Sequence, residues 1–286
     1  LYLPLIVGAQ IILADRAVTV DATRLLELLT NARATVMQAT PATWRLLLEA
    51  GWEGTAGLKI LCGGEALQRD LAEQLLPRSA SLWNMYGPTE ATIWSLVHRV
   101  ESGTGPVPIG RPIANTSVHI LDEELNPVPP GVTGELFLGG DGLARGYLAR
   151  PELTEERFVP DPFGPAGARL YRTGDLARIR AGGLVEWIGR VDGQTKIRGF
   201  RIELGEIEAA LADCAGVRQA AAKVVEPKPG DQRLLAYIVP ANGTAPTGTE
   251  LAAALRQRLP EYMVPSSYTV LSSLPLTPNG KVDRRA

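Results

Sequence analysis

The stretch from Gly189 to Glu208, GRVDGQTKIRGFRIELGEIE, constrains this chain more than any other. It sets three arginines, a lysine and several glycines in a strand–turn–strand pattern between two apolar segments. Polar density of that kind, at a point where a large domain hands over to a small one, fits a hinge that also meets a charged ligand. With 286 residues, 45% of them hydrophobic, the chain can bury one large core and one smaller one.

Up to about Ile188 helix and strand patterns mix. Leu25, Leu26, Leu28 and Leu29 give one helix an apolar stripe. Thr40 is placed to cap a helix with Pro41 at its first position, running through Trp44, Leu47 and Leu48 to a stop at Gly51. Apolar runs at Thr35–Gln38, Leu58–Cys62 and Ser81–Met85 alternate with helices, which predicts a mostly parallel, covered sheet. From Ser117 strands dominate, at Ser117–Leu121, Glu135–Leu138, Leu176–Ile179 and Leu184–Ile188, so a β-rich subdomain is expected over about 110–191. After Asp192 the pattern becomes α+β. Leu204, Ile207, Leu211 and Cys214 share a helix face, Val217–Val225 and Leu234–Val239 read as strands, and Leu251, Leu255 and Leu259 mark a further helix. The opening Leu1–Ala14 reads as a buried helix end followed by a strand at Gln10–Leu13. It is too short to span a bilayer and lacks a basic front end.

Net charge is −2, from 29 basic and 31 acidic residues, so no broad field draws nucleic acid or an anionic membrane. An anionic ligand must be held by a few placed groups. Cys62 and Cys214 have neither metal nor redox spacing and read as two buried thiols in a reducing, cytoplasmic setting. His98 and His119 have no triad partners and read as structural.

Four segments carry the polar chemistry. Asn84–Glu90, NMYGPTE, ends a strand at a Gly87-Pro88 turn and projects Tyr86, Thr89 and Glu90 together; ligands bind at the carboxyl ends of strands in open α/β sheets. Tyr171–Leu176, YRTGDL, offers Asp175, whose carboxylate suits two vicinal hydroxyls. Gly134–Leu148, GELFLGGDGLARGYL, reads as mainly structural, with Arg145 anchoring a loop. Pro278–Arg284, PNGKVDR, presents Lys281 on a tight Asn-Gly turn.

These segments, with Gly63-Gly64-Glu65, LPEYMVP at Leu259–Pro265 and the opening stretch, closely resemble the core motifs of the adenylation domains of nonribosomal peptide synthetases. The resemblance covers the whole chain. It implies a truncated adenylate-forming fold of α/β and α+β parts: the later portion of a large AMP-binding domain over 1–191, then a small mobile α+β domain over 192–286 that turns about Asp192. It implies ATP and Mg²⁺ as cofactors and phosphopantetheine on a partner carrier protein. Tyr86 stacks on the adenine, Thr89 meets the α-phosphate, Glu90 helps hold Mg²⁺, and Gly64 and Glu65 line the other adenine face beside Gly87. Asp175 and Arg190 take the ribose. Lys281 reaches the reacting carboxylate as the catalytic cation.

By the same resemblance Gln38, Leu61, Gly63, Met85, Ile93 and Trp94 line the amino-acid pocket. Bulk from Trp94, Met85, Leu61 and Gln38, and the lack of charge, imply glycine, or failing that another small neutral amino acid such as alanine. On this reading Gly63 leaves space rather than filling it. The implied partners are the amino acid, a peptidyl carrier domain and neighbouring synthetase domains, with a small activator protein left open and with neither nucleic acid nor membrane among them. The family's phosphate loop and the aspartate that pairs with the substrate amino group are expected upstream of Leu1, so the chain reads as a fragment, inactive alone. Two alternatives stay open: an acyl- or aryl-acid ligase of the same superfamily, and a non-catalytic remnant that binds nucleotide or docks a carrier domain.

Overall fold

Three short buried runs build the first sheet. In the computed structural model, which describes residues 2–191, 195–197, 200–228, 231–241 and 245–275, β1 (Val36–Ala39), β2 (Lys59–Gly63) and β3 (Ser81–Tyr86) pair in parallel. β4 (Leu96–Arg99) and β5 (Arg111–Pro112) then add antiparallel, giving the order β1-β2-β3-β4-β5. Helices α1 (Tyr2–Ile6), α2 (Arg16–Thr19), α3 (Ala22–Ala32), α4 (Pro41–Glu49) and α5 (Arg69–Leu75) precede or connect these strands. The start of α4 is set locally: the Thr40 hydroxyl accepts the Thr43 amide, and Pro41 fills a position whose amide has no helical partner. Gly51 ends the turn at φ +85°, a left-handed value that favours glycine. Trp44, Leu47, Leu58, Ile60, Leu71, Leu75 and Leu82 are fully buried between sheet and helices. Truncating one such leucine to alanine costs about 2–5 kcal/mol.

A second, antiparallel sheet follows, from β6 (Thr116–Leu121), β7 (Gly134–Gly140), β8 (Phe158–Pro160), β9 (Arg169–Ile179) and β10 (Val185–Arg190), with α6 (Pro151–Arg157) between β7 and β8. Its order is β10-β9-β7-β6, with β8 paired to β9. β9 reaches further upstream than the Leu176–Ile179 run predicts and takes in the whole of YRTGDL. The register slips there: Glu135 faces Leu176 while Phe137 faces Arg172. Thr173–Asp175 thus oppose Leu136 alone, and β9 departs from the β7 ladder in a bulge, which re-aims a side chain. The Thr173 hydroxyl donates to the Leu136 carbonyl (2.7 Å) and accepts the Asp175 amide (3.0 Å), and the Gly174 amide donates to Glu135 (3.1 Å).

The chain divides into two compact units, Leu1–Asp192 and Gly193–Ala286. In the second, β11 (Thr195–Ile197) and β12 (Phe200–Ile202) form a hairpin. Then α7 (Leu204–Ala212), β13 (Val217–Val225), β14 (Arg233–Pro240), α8 (Gly248–Arg256) and β15 (Ser267–Val270) make a three-stranded α+β layer, antiparallel at β13/β14 and parallel at β14/β15. Ile207, Leu211, Ala236, Ile238 and Leu255 fill its core. Thr247 and Glu250 form a reciprocal capping box at the start of α8.

Several expectations need correction. Gln10–Leu13 forms no strand, and Leu5, Ile6 and Val7 are exposed rather than a buried helix end. Gly8 turns left-handed (φ +72°) and closes the helix at Ile6, and a strand needs a ladder partner, which residues 10–13 lack among the described residues. α7 stops at Ala212, so Cys214 lies beyond it, only partly buried, with its thiol donating to the Ala210 carbonyl. α8 stops at Arg256, yet Leu259 is buried through a following turn whose amide returns to Leu255. Among the described residues no helix is long and apolar enough to cross a membrane.

Candidate active site

β3 delivers the first cluster. Its last residue, Tyr86, is followed by Gly87, where a Cβ would come within 2.8 Å of the Ser95 amide and the Trp94 backbone, so only glycine fits the turn. A single 3-10 turn, Thr89–Ala91, leads into Thr92 and Ile93, both with positive φ (57° and 74°). For a β-branched residue such as Ile93 that backbone is strained. The strain is held by the Ser95 amide bonding back to the Tyr86 carbonyl (2.8 Å) and by the Thr92 hydroxyl donating to the Gly142 carbonyl (2.6 Å).

The bulge in β9 brings Asp175 to Tyr86. The Tyr86 hydroxyl donates to Asp175 Oδ2 at 2.5 Å. Asp175 Oδ1 accepts from Trp187 Nε1 (2.9 Å) and from Arg190 Nη1 (3.1 Å), directly across the β9/β10 pair. Three of about four acceptor positions on this carboxylate are thus filled. Burial, and then the neighbouring Asp175 charge, push the Tyr86 phenol well up, so it stays a donor. The structure therefore joins Tyr86, Asp175 and Arg190, which sequence reading had placed in separate motifs. It adds Trp187, which sequence reading missed; its signal is an indole N–H on a half-buried strand face, which must find a partner.

Glu90 is buried too. Its carboxylate accepts from the Tyr147 hydroxyl (2.7 Å) and its carbonyl from the Ala144 amide (2.8 Å). Thr89, one residue earlier, is exposed. Gly64 follows β2 with φ +90°, and Glu65 beside it is half-buried. Arg145 supplies its backbone carbonyl, not its side chain, to the loop anchor at Arg169.

The expected pocket residues gather on one sheet face. Gln38 lies opposite Leu61, and Gly63 opposite Met85, in the parallel ladder, so all four point the same way. A Cβ on Gly63 would lie 2.6 Å from the Met85 carbonyl oxygen and 2.6 Å from the Trp94 ring. The space over Gly63 is therefore filled by Trp94, which corrects the expectation that Gly63 leaves room. Ile93 stands 60% exposed beside it. Lys281 and Asp192 lie outside the described residues. His119 stacks on Phe163 at 4.7 Å.

A family description, AMP-binding enzyme, matches residues 1–148, and its C-terminal domain matches residues 206–281. The chain belongs to the AMP-binding enzymes. It is 53% identical over 287 aligned positions to a dimodular nonribosomal peptide synthase of Bacillus subtilis, a match that covers 100% of this chain but 12% of that relative's length. A solved four-domain nonribosomal peptide synthetase bound to AMP and glycine is 46% identical, with a TM-score of 0.64 over 99% of this chain and 21% of its own. A solved adenylation and carrier (PCP) protein of the same class, bound to a vinylsulfonamide inhibitor, is 32% identical with a TM-score of 0.81, over 93% of this chain and 46% of its own. The resemblance to synthetase adenylation domains and the adenylate-forming fold it implied both stand.

For this family Mg²⁺ is the implied metal. Mg²⁺ takes one or two carboxylates together with phosphate oxygens rather than an all-protein cage. Glu90, a buried hard-oxygen donor, fits that demand, and no cluster of three or more potential ligands occurs among the described residues.

Proposed function

We propose that the protein is an ATP-dependent ligase that activates an amino acid, glycine by preference, and passes it to a carrier-protein thiol. The observations that carry the reading are the Tyr86–Asp175–Arg190–Trp187 cluster and a pocket floor narrowed by Trp94 over Gly63. In the first step the amino-acid carboxylate attacks the α-phosphate of ATP, the bond to the β-phosphate breaks and pyrophosphate leaves. In the second, a phosphopantetheine thiolate attacks the acyl carbonyl, a thioester forms and AMP leaves.

Tyr86 offers its ring to the adenine, and its hydroxyl is one of the donors on Asp175. Asp175 receives ribose hydroxyls by exchanging them for donors it already holds. Arg190 pairs with that carboxylate and faces the phosphate side. Glu90 holds the metal, which when bound neutralises phosphate charge. Gly64, Glu65, Gly87 and Thr89 complete the nucleotide contacts. Lys281, which follows Asn279-Gly280 in the sequence, stabilises the charge that develops on the attacked phosphate. Asp192 serves as the pivot between the two reactions.

Glycine follows from size and charge. The face formed by Gln38, Leu61, Gly63 and Met85 carries no charge, and the Trp94 ring occupies the place a larger substrate side chain needs. A synthetase relative solved with AMP and glycine bound supports the same reading. One extra methyl is discriminated by only about 1–3 kcal/mol, so some alanine activation is expected. ATP–pyrophosphate exchange by the full-length protein, run with all proteinogenic amino acids and with aryl and fatty acids, tests the reading. A preference for a large, charged or non-amino acid refutes glycine, and no exchange with any acid favours the binding remnant.

A further inference from the structure

The glycine-rich loop after β7 does more than turn the chain. It grips Glu90 at two points, through the Ala144 amide on the Glu90 carbonyl and the Tyr147 hydroxyl on the Glu90 carboxylate. We propose that Tyr147 is a positioning residue for the nucleotide site, fixing the Glu90 carboxylate with a neutral donor. The proposal rests on the nucleotide reading above.

The loop is itself braced. Arg169 donates to the Ala144 and Arg145 carbonyls at 3.2 and 3.1 Å, and Thr154 accepts the Tyr147 amide at 2.9 Å. The Tyr147 ring meets Phe158 edge-on, with centroids 5.7 Å apart, and the Arg169 guanidinium lies over the other aromatic partner at 5.3 Å from the Phe158 centroid. The hydroxyl therefore has little freedom, and neither does the carboxylate it holds. The choice of donor matters. A lysine or arginine at this point would neutralise Glu90 and compete with a cation for it, whereas a phenol orients the carboxylate and leaves its charge intact. The loop sequence, read as structural, thus supplies a group that acts on the site through Glu90.

The test uses the full-length enzyme and the isosteric variant Tyr147→Phe, which keeps the ring and removes only the hydroxyl. ATP affinity is measured by calorimetry across a magnesium titration, AMP affinity without magnesium, and the melting temperature of each protein. Residues behind a metal ligand typically change metal affinity about 10–100-fold, so the magnesium half-saturation point is expected to rise about tenfold. AMP affinity and melting temperature should stay near wild type, a pattern that a merely structural tyrosine would not give. The shift should vanish when Tyr147→Phe is placed in a Glu90→Gln background. An unchanged half-saturation point, or a shift that persists without the Glu90 carboxylate, overturns the proposal. Should Tyr147→Phe fail to fold, Glu90→Asp, which draws the carboxylate back from the hydroxyl by one methylene, is expected to give the same shift, and no shift there overturns it equally. If Glu90→Gln alone leaves the magnesium dependence untouched, the reading of the site falls, and the proposal with it.

Discussion

Two buried carboxylates share the β9/β10 pair and sit in mirrored positions. Asp175 of β9 lies opposite Arg190 of β10, and Glu186 of β10 lies opposite Arg178 of β9. Their surroundings differ in kind. Glu186, 1% exposed, takes two cations, Arg178 at 2.9 Å and Arg180 at 2.7 Å, and these hold it down from its ordinary 4.5 to about 2. Asp175, 8% exposed, takes one cation and two neutral donors, Tyr86 and Trp187. A carboxylate held by two cations is tied to its neighbouring strand and serves as a latch. One held largely by neutral donors can exchange them for the hydroxyls of a sugar at little cost. Position in the sheet is the same; on the proposed reading the donor set separates a structural carboxylate from a binding one.

The sharpest way to break this contrast is to neutralise each in turn. Asp175→Asn is expected to weaken ATP binding about 100-fold, since hydrogen bonds to a charged acceptor are worth about 1.5–3 kcal/mol each. It should also lower stability, because the 13% exposed Arg190 side chain loses its ion pair with Asp175. Calorimetric titration with ATP measures the first effect. Affinity within a few-fold of wild type would show that Asp175 is a latch like Glu186.

Glu186→Gln should do the reverse, lowering stability by about 1–3 kcal/mol with ATP affinity intact. The pH dependence gives an independent check. Because the folded-state value lies below the unfolded one, the contribution of Glu186 is present above about pH 4.5 and is lost as pH falls towards about 2. Acid unfolding followed by circular dichroism should therefore be shallower over that window in Glu186→Gln than in wild type. Parallel curves would remove the cationic latch from the argument.

What the sequence made legible divides along the same line between local and non-local causes. The α4 start at Thr40-Pro41 and its stop at Gly51 are properties of adjacent residues, and both were readable. So was the parallel pairing of the buried runs. Asp175 stood out as the carboxylate of YRTGDL, but its bulge was hidden, because the slip depends on register against Glu135–Phe137 rather than on neighbours in sequence. Trp187 and Tyr147 were missed for that reason: each meets its partner only through the sheet or a distant turn. The pocket floor was misread at Gly63 because Trp94 reaches it through the left-handed pair Thr92–Ile93, a conformation that β-branched side chains disfavour. The strand expected at Gln10–Leu13 failed because apolar residues in a row are not a strand until another strand pairs with them.

The smallest expected effect probes the exchangeable donors themselves. Tyr86→Phe keeps the ring for stacking and removes one of the three bonds to Asp175, leaving Trp187 and Arg190 in place. If the tyrosine hydroxyl were part of a rigid latch, its loss would leave one oxygen of a buried carboxylate without its donor in the free protein and in the complex alike. If it is an exchangeable donor, a ribose hydroxyl can take its place in the complex. The loss then falls on the free protein, where a single hydrogen bond is worth about 1 kcal/mol, a factor of about five. Tyr86→Phe should thus melt slightly lower, while its ATP affinity stays level or rises by up to that factor. Because its phenol is held protonated by burial and by Asp175, the difference should not vary with pH across the neutral range. A tenfold or greater loss of ATP affinity would mean that Tyr86 orients Asp175 for the ribose rather than yielding to it.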